Sequence, residues 1–225
     1  MHFAICTISS LLLILSGGAQ TATASLFGGK KTTEPVVENV VTPGWEHVTS
    51  GSTIKLGHGK STTRLTLPQV SYGTGSQQQA ITAFTDTMTT RALWLVEQPD
   101  TLRGTPIACG SEVRLVNSDS GHSLHSHAAH KAPISGAQEV SGFDGRDSGD
   151  MWVVECTTDM WMRESPVYLK HVETGQYLQS LPNKKYRQPI VGHQEVSGGK
   201  KPDANSQWIA MEGYYFVRKT TASAK

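Results

Sequence analysis

Charge of one sign is missing from this chain of 225 residues. Its 20 basic and 19 acidic side chains nearly cancel, and neither sign forms a block. A surface for duplex nucleic acid or anionic membrane needs concentrated Lys and Arg, so both partner classes are excluded. Charged residues are only 17% of the chain, against about 25% in ordinary domains. Three cysteines are too few for a disulfide-dense miniprotein. No N-x-Ser/Thr sequon occurs, because Asn117-Ser118-Asp119 and Asn205-Ser206-Gln207 both fail at the third position. No apolar run approaches the ~20 residues that span a bilayer. Also missing are G-x-S-x-G, H-E-x-x-H and a glycine-rich phosphate loop, the common marks of nucleophilic, metal-assisted and phosphoryl chemistry. What is present is a foldable composition, with 37% hydrophobic residues and 22 glycines.

The one strongly apolar run, Ile8 to Leu15, is followed by Ala19, Ala22 and Ala24. This pattern reads as a secretory signal peptide over residues 1–24, cleaved after Ala24 or, as second choice, Ala19. Cys6 would leave with it. Cys109 and Cys156 then form an even pair in an oxidising compartment, as one disulfide or as two buried free thiols. Residues 25–45 mix Gly, Lys, Thr and Pro without periodicity and read as a flexible leader. Residues 220–225 read as a tail.

The remainder repeats itself. Gln138-Glu139-Val140-Ser141-Gly142 recurs as Gln194-Glu195-Val196-Ser197-Gly198, with a weaker copy at Gln79-Ala80-Ile81-Thr82. Trp94, Trp152 and Trp208 follow the three copies. Ile54/Leu56, Val113/Leu115 and Val167/Leu169 precede them, and Leu65, Leu124 and Leu178 come nine residues after each leucine. Apolar pairs at i and i+2 share one face of a strand. The spacing therefore predicts repeats over about 46–98, 107–156 and 162–212, each of short strands joined by Gly, Ser and Asp turns. One unit cannot cover its own apolar face, so three must share a core. The expected architecture is an all-β trefoil occupying residues 46–219. Its structural core is expected to include Leu56, Leu115, Leu169, Trp94, Trp152 and Trp208.

Gly51-Ser52, Gly110-Ser111, Leu124-His125-Ser126-His127, the two Gln-Glu-Val-Ser-Gly copies and Trp208-x-x-Met211-Glu212-Gly213 resemble the MIR repeats of the stromal cell-derived factor 2 family. Arg103-Gly104-Thr105-Pro106-Ile107-x-Cys109-Gly110 matches in register, and the similarity runs from about Val48 to Lys219. The resemblance implies a trefoil of three MIR motifs in the endoplasmic reticulum lumen. It implies a non-catalytic accessory of a DnaJ-type co-chaperone and Hsp70, acting on client polypeptides in folding and quality control, without cofactor or metal. Cys109 and Cys156 match the family's second cysteine pair. Ser50 and approximately Thr101 stand where members often carry the first pair, so that bridge is absent. Ala222-Ser223-Ala224-Lys225 is no Lys/His-Asp-Glu-Leu signal, which leaves retention by a partner, or secretion.

The alternative reading is a glycan-binding module linked to O-mannosylated or secreted glycoproteins. Trp161, Tyr168, Tyr177, Tyr186, Gln176 and Asn183 are its candidate contacts. Against it, the ricin-type Q-x-W signature is missing, since Ala92, Asp150 and Ser206 stand two before the repeat tryptophans. Trp161, between Met160 and Met162, is expected to be an exposed anchor or a structural plug. His125 and His127, two apart within His122, His125, His127 and His130, are the other binding candidates. Their spacing suits imidazole ligation, but no third ligand lies nearby in sequence, so no metal is expected. Glu139 and Glu195 recur by duplication. Tyr214-Tyr215-Phe216-Val217 reads as the barrel-closing strand.

Overall fold

The computed structural model describes residues 43–218. The expected signal peptide, nearly all of the expected leader and the tail lie outside the described residues. Thirteen strands are present among the described residues: β1 (Thr53–His58), β2 (Arg64–Thr66), β3 (Gln79–Ala80), β4 (Thr82–Phe84), β5 (Trp94–Glu97), β6 (Glu112–Asn117), β7 (Ser123–Lys131), β8 (Gln138–Phe143), β9 (Met151–Glu155), β10 (Pro166–His171), β11 (Tyr177–Lys185), β12 (Gln194–Gly199) and β13 (Trp208–Tyr214).

Six strands close a barrel. β1 pairs with β5, β5 with β6, β6 with β9, β9 with β10, β10 with β13, and β13 returns to β1, every pairing antiparallel. Each repeat contributes its first and last strand. The other strands form three hairpin arms, β2 with β4, β7 with β8 and β11 with β12. β3–β8, β8–β12 and β12–β4 pairings tie the arms into a ring over one end of the barrel. A six-stranded barrel capped by three hairpins is a β-trefoil.

The period-2 pairs explain the barrel. Ile54/Leu56, Trp94/Val96, Val113/Leu115, Trp152/Val154, Val167/Leu169 and Trp208/Ala210 all point inward and are fully buried. Burial of each large side chain is worth about 1.5–3 kcal/mol. The indole N–H groups would be costly to bury unpaired, and the repeat supplies an acceptor for each. Trp94 Nε1 donates to the Leu65 carbonyl (3.0 Å), Trp152 Nε1 to Leu124 (2.9 Å) and Trp208 Nε1 to Leu178 (2.8 Å). The recurring leucine thus fills the cap with its side chain and satisfies the tryptophan with its backbone.

The barrel's open end, away from the hairpin cap, is plugged by the segments that enter each repeat. Val48 N–H donates to the Trp161 carbonyl (2.8 Å), Trp161 N–H to Ile107 (2.8 Å) and Ile107 N–H to Val48 (3.0 Å), a closed ring of three bonds. The side chains of Val48, Ile107 and Trp161 are fully buried at these equivalent positions. Cys109 and Cys156 are joined as a disulfide with a Cα–Cα distance of 5.6 Å, pinning the entry of the second repeat to its last strand.

A tight turn precedes the first strand of each repeat. Its left-handed residue is Gly51 (φ +83°), Gly110 (φ +87°) and, in the third repeat, Glu164 (φ +59°). A side chain there is strained by roughly 1–2 kcal/mol, part of which glycine's greater chain entropy offsets. Glu164→Gly is therefore expected to stabilise the fold by about 1 kcal/mol, raising the thermal midpoint about 2–4 °C. An unchanged midpoint would show that the strain is absorbed locally.

Candidate interaction site

Two residues beyond each first-strand leucine stands a polar side chain inside the fold: His58, Asn117 and His171. His58 Nδ1 meets Ser61 Oγ (2.9 Å) and its Nε2 the Asn205 carbonyl (2.8 Å). His171 Nδ1 meets Thr174 Oγ1 (2.9 Å) and its Nε2 the Gly149 carbonyl (2.9 Å). Asn117 does the same work with an amide, accepting from Ser120 N–H (3.2 Å) and donating to the Arg91 carbonyl (2.8 Å). Each ties a hairpin turn to the segment before a repeat tryptophan. The signal, His/Asn-x-x-Ser/Thr after the repeat leucine, is present in the sequence.

Burial holds both His58 and His171 below the ordinary imidazole value of 6.5. The unfolded chain then binds more protons than the folded one just below that value, so stability falls as pH drops through about 6.5. Substituting His58→Asn and His171→Asn together should flatten the profile between pH 7 and 5, measured by denaturant unfolding. A slope unchanged in the double variant would exclude these imidazoles as its source.

The histidine cluster separates. His125 is buried and its Nδ1 lies 3.1 Å from Asp150 Oδ1 and 3.4 Å from Asp147 Oδ1. His127 is exposed, and its Nδ1 accepts the Ala129 N–H (3.2 Å). The shared face expected for residues two apart is lost where the β7–β8 register shifts between Ser126 and Lys131. His125 is thus corrected from a surface binding residue to a buried one. His125, Asp147 and Asp150 bring ligand atoms within 4.8 Å of one another, a set the sequence reading did not assemble. Here the Arg114 guanidinium already provides the positive charge, with Nε 3.2 Å from Asp150 Oδ2. Asp150 also accepts the Asp147 N–H (3.2 Å), forming a capping box on the 3-10 turn Ser148–Asp150.

Trp161 is the second correction. It is fully buried as the third member of the ring at the barrel's open end, so it is the plug and not the anchor. Its Nε1 has no hydrogen-bond partner, unlike the indoles of the three repeat tryptophans. The aromatic run near the C-terminus also divides. Tyr214 ends β13 opposite Thr53, while Tyr215 to Arg218 leave the sheet and lie along the barrel's open end. The Arg163 guanidinium sits 3.9 Å above the Tyr215 ring and that of Arg103 3.5 Å above Phe216. Phe216 N–H donates to Ser52 Oγ (3.3 Å), and Arg218 N–H to the Gly104 carbonyl (3.2 Å).

Tyr177 remains at the surface, on the outer face of the third repeat. Its ring meets that of Tyr168 edge-on, with centroids 6.3 Å apart. Tyr177 Oη donates to Glu155 Oε2 (3.1 Å), and Lys170 Nζ lies 3.5 Å from Glu155 Oε1. Gln207 Nε2 donates to Tyr168 Oη (3.2 Å). Strands β9, β10 and β11 thus gather two phenol rings, a carboxylate and an ammonium, and the residue before β13 adds the Gln207 amide. Asn183 is exposed further along β11, and Tyr186 lies in the cap. Glu139 and Glu195 are buried in the cap, clasping loops.

The MIR domain family matches residues 46–180. A stromal cell-derived factor 2-like protein of Dictyostelium discoideum is 40% identical over 182 residues, covering 76% of this chain and 85% of that relative. The chain belongs to the stromal cell-derived factor 2 family. The crystal structure of the SDF2-like protein from Arabidopsis thaliana, 37% identical, superposes with a TM-score of 0.72 over 76% of this chain and 98% of that one. The S. cerevisiae protein O-mannosyltransferase Pmt1-Pmt2 complex bound to the sugar donor is 26% identical and gives a TM-score of 0.71. That match covers 82% of this chain but only 27% of the transferase chain, so a domain of this shape also serves as one part of a glycosylation enzyme. As a member of the stromal cell-derived factor 2 family, the chain carries the MIR trefoil over nearly all of its described length.

Proposed function

We propose that this protein is a non-catalytic accessory of a DnaJ/Hsp70 chaperone complex in the endoplasmic reticulum lumen, working by protein–protein contact in folding and quality control. The observation that carries this reading is membership of the stromal cell-derived factor 2 family over three quarters of the chain. The site chemistry supports it. The buried carboxylates Glu139 and Glu195 hold loops, and the imidazoles of His58 and His171 hold hairpin turns. Beside the C-terminal arm, Trp45, Leu102, Tyr214 and Val217 are exposed, and aromatic and apolar groups of this kind anchor protein interfaces.

Affinity purification of the mature chain from its own cells tests the reading. Recovery of a DnaJ protein together with a lumenal Hsp70, reduced by Leu102→Asp with Val217→Asp, is the expected result. Recovery of neither overturns it.

The Tyr168–Tyr177 platform favours a second reading, in which the third repeat binds glycans by stacking a pyranose on a phenol ring beside Glu155 and Gln207. A glycan array should then show binding that Tyr177→Ala abolishes. A blank array removes this reading.

A further inference from the structure

The cap is threefold in backbone but not in side chains. Strand pairing places Ala80 opposite Ser141, Glu139 opposite Ser197 and Glu195 opposite Thr82, so Ala80, Glu139 and Glu195 are equivalent. Both glutamates are buried and reach into the hairpin loop of the preceding repeat. Glu195 accepts the N–H groups of Ile134 (2.6 Å) and Ser135 (3.1 Å). Glu139 accepts that of Ser76 (3.4 Å).

At the third junction the glutamate is replaced by Ala80, and the loop that would receive it lies between β11 and β12. Counted back from the strand, Ile190 and Val191 correspond to Ile134 and Ser135. Their N–H groups have no protein acceptor among the described residues; Ile190 is half-buried and Val191 is exposed at the rim. Between Ala80 and this loop is a cavity of about 200 Å³, walled by Tyr72, Ala80, Pro133, Tyr186, Pro189 and Ile190. The Tyr186 hydroxyl is buried beside that of Tyr72 and makes no hydrogen bond of normal geometry, whereas the Tyr72 hydroxyl donates to the Val140 carbonyl (2.9 Å). Burial pushes the Tyr186 phenol up, so the group stays a donor. The Tyr186 hydroxyl is thus an unmet buried donor at the cavity, and an unpaired buried donor is costly.

We propose that this cavity is a carboxylate-binding site, in which a ligand's carboxylate takes the place that Glu139 and Glu195 fill at the sister junctions, accepting from Tyr186 Oη and the Ile190 and Val191 N–H groups. Its volume is below that of the usual pocket for drug-sized ligands, about 300–1,000 Å³, and suits the head of an acidic side chain or a chain terminus. The apolar walls of Ala80, Pro133 and Pro189 lower the local dielectric and strengthen the bonds to the anion. The site is independent of the chaperone reading: it stands on the broken symmetry of the cap.

Acetate is the first probe, followed by amide NMR of the full chain. Signals of Ile190 and Val191 should move saturably with acetate and not with chloride at matched ionic strength. Tyr186→Phe removes one donor and should weaken acetate binding about tenfold or more. Ala80→Glu supplies the carboxylate from the chain itself and should abolish the response, while Tyr186→Phe keeps the test intact if that variant does not fold. Two capped tripeptides separate the sources of the group. Acetyl-Gly-Glu-Gly-amide carries it on a side chain, and acetyl-Gly-Gly-Gly with a free end carries it at the terminus. Binding of either supports the site and names its source. Amides unmoved by acetate, an equal response to neutral acetamide, or a Tyr186→Phe chain that binds acetate as tightly as the parent would each overturn it.

Discussion

Replacing Trp161 by Ala should lower the stability of the fold by about 3–5 kcal/mol, displacing the thermal midpoint by about 6–20 °C. The side chain is fully buried at the open end of the barrel, and its two equivalents are the smaller Val48 and Ile107. Most of the plug's volume therefore comes from one residue, and its loss leaves a void that a ring of three backbone bonds cannot collapse around. Trp161→Phe separates packing from polarity. The Trp161 Nε1 has no partner, so phenylalanine gives up volume but no hydrogen bond, and a cost below about 1.5 kcal/mol is expected. The same change at Trp94 also removes the bond to the Leu65 carbonyl and should cost more. Calorimetry of the three variants checks the ranking. Near-equal values for the two phenylalanine variants would show that the indole bond contributes little.

Asp150→Ala should be of similar size, about 3–5 kcal/mol, because it removes one partner of a buried charge pair and leaves the other behind. Asp150 is fully buried and holds Arg114 Nε at 3.2 Å and His125 Nδ1 at 3.1 Å while capping the turn before β9. Arg114 is itself mostly buried and has no other carboxylate within ion-pair reach among the described residues. Combining Arg114→Ala with Asp150→Ala should then cost less than the sum of the single changes, by about 1–3 kcal/mol. Strict additivity in denaturant unfolding would mean the two side chains act separately.

The barrel was legible in the sequence because its information is local. Pairs at i and i+2, a tryptophan at one spacing and a leucine at another are visible without knowing what they touch. Trp161 was not legible in that way. Its segment has no period, and its role exists only where three distant segments meet about an axis. For His125 the spacing to His127 suggested a shared face, but a register shift after Ser126 decides otherwise, and a shift of that kind leaves no mark in residue type. Asp150 reads as the residue two before a tryptophan, and nothing in its neighbourhood points to Arg114. The duplicated glutamates were visible, yet duplication alone did not reveal that they hold loops. Their value lies in the comparison they permit with Ala80, which departs from the pattern at one junction in three.

The seam of the barrel has a kinetic consequence. β1 closes against β13, pairing Thr53 with Tyr214, so the first strand of the trefoil waits for the last. At about 5–20 residues per second of synthesis, the intervening 161 residues (214 − 53) take about 8–32 seconds to appear. Throughout that interval β1 lacks its β13 partner on one edge, and its apolar stave, Ile54 and Leu56, faces a half-built interior. Closure between such distant strands also makes for slow folding. A protein proposed to assist unfinished chains is, for the length of its own synthesis, an unfinished chain of the same kind.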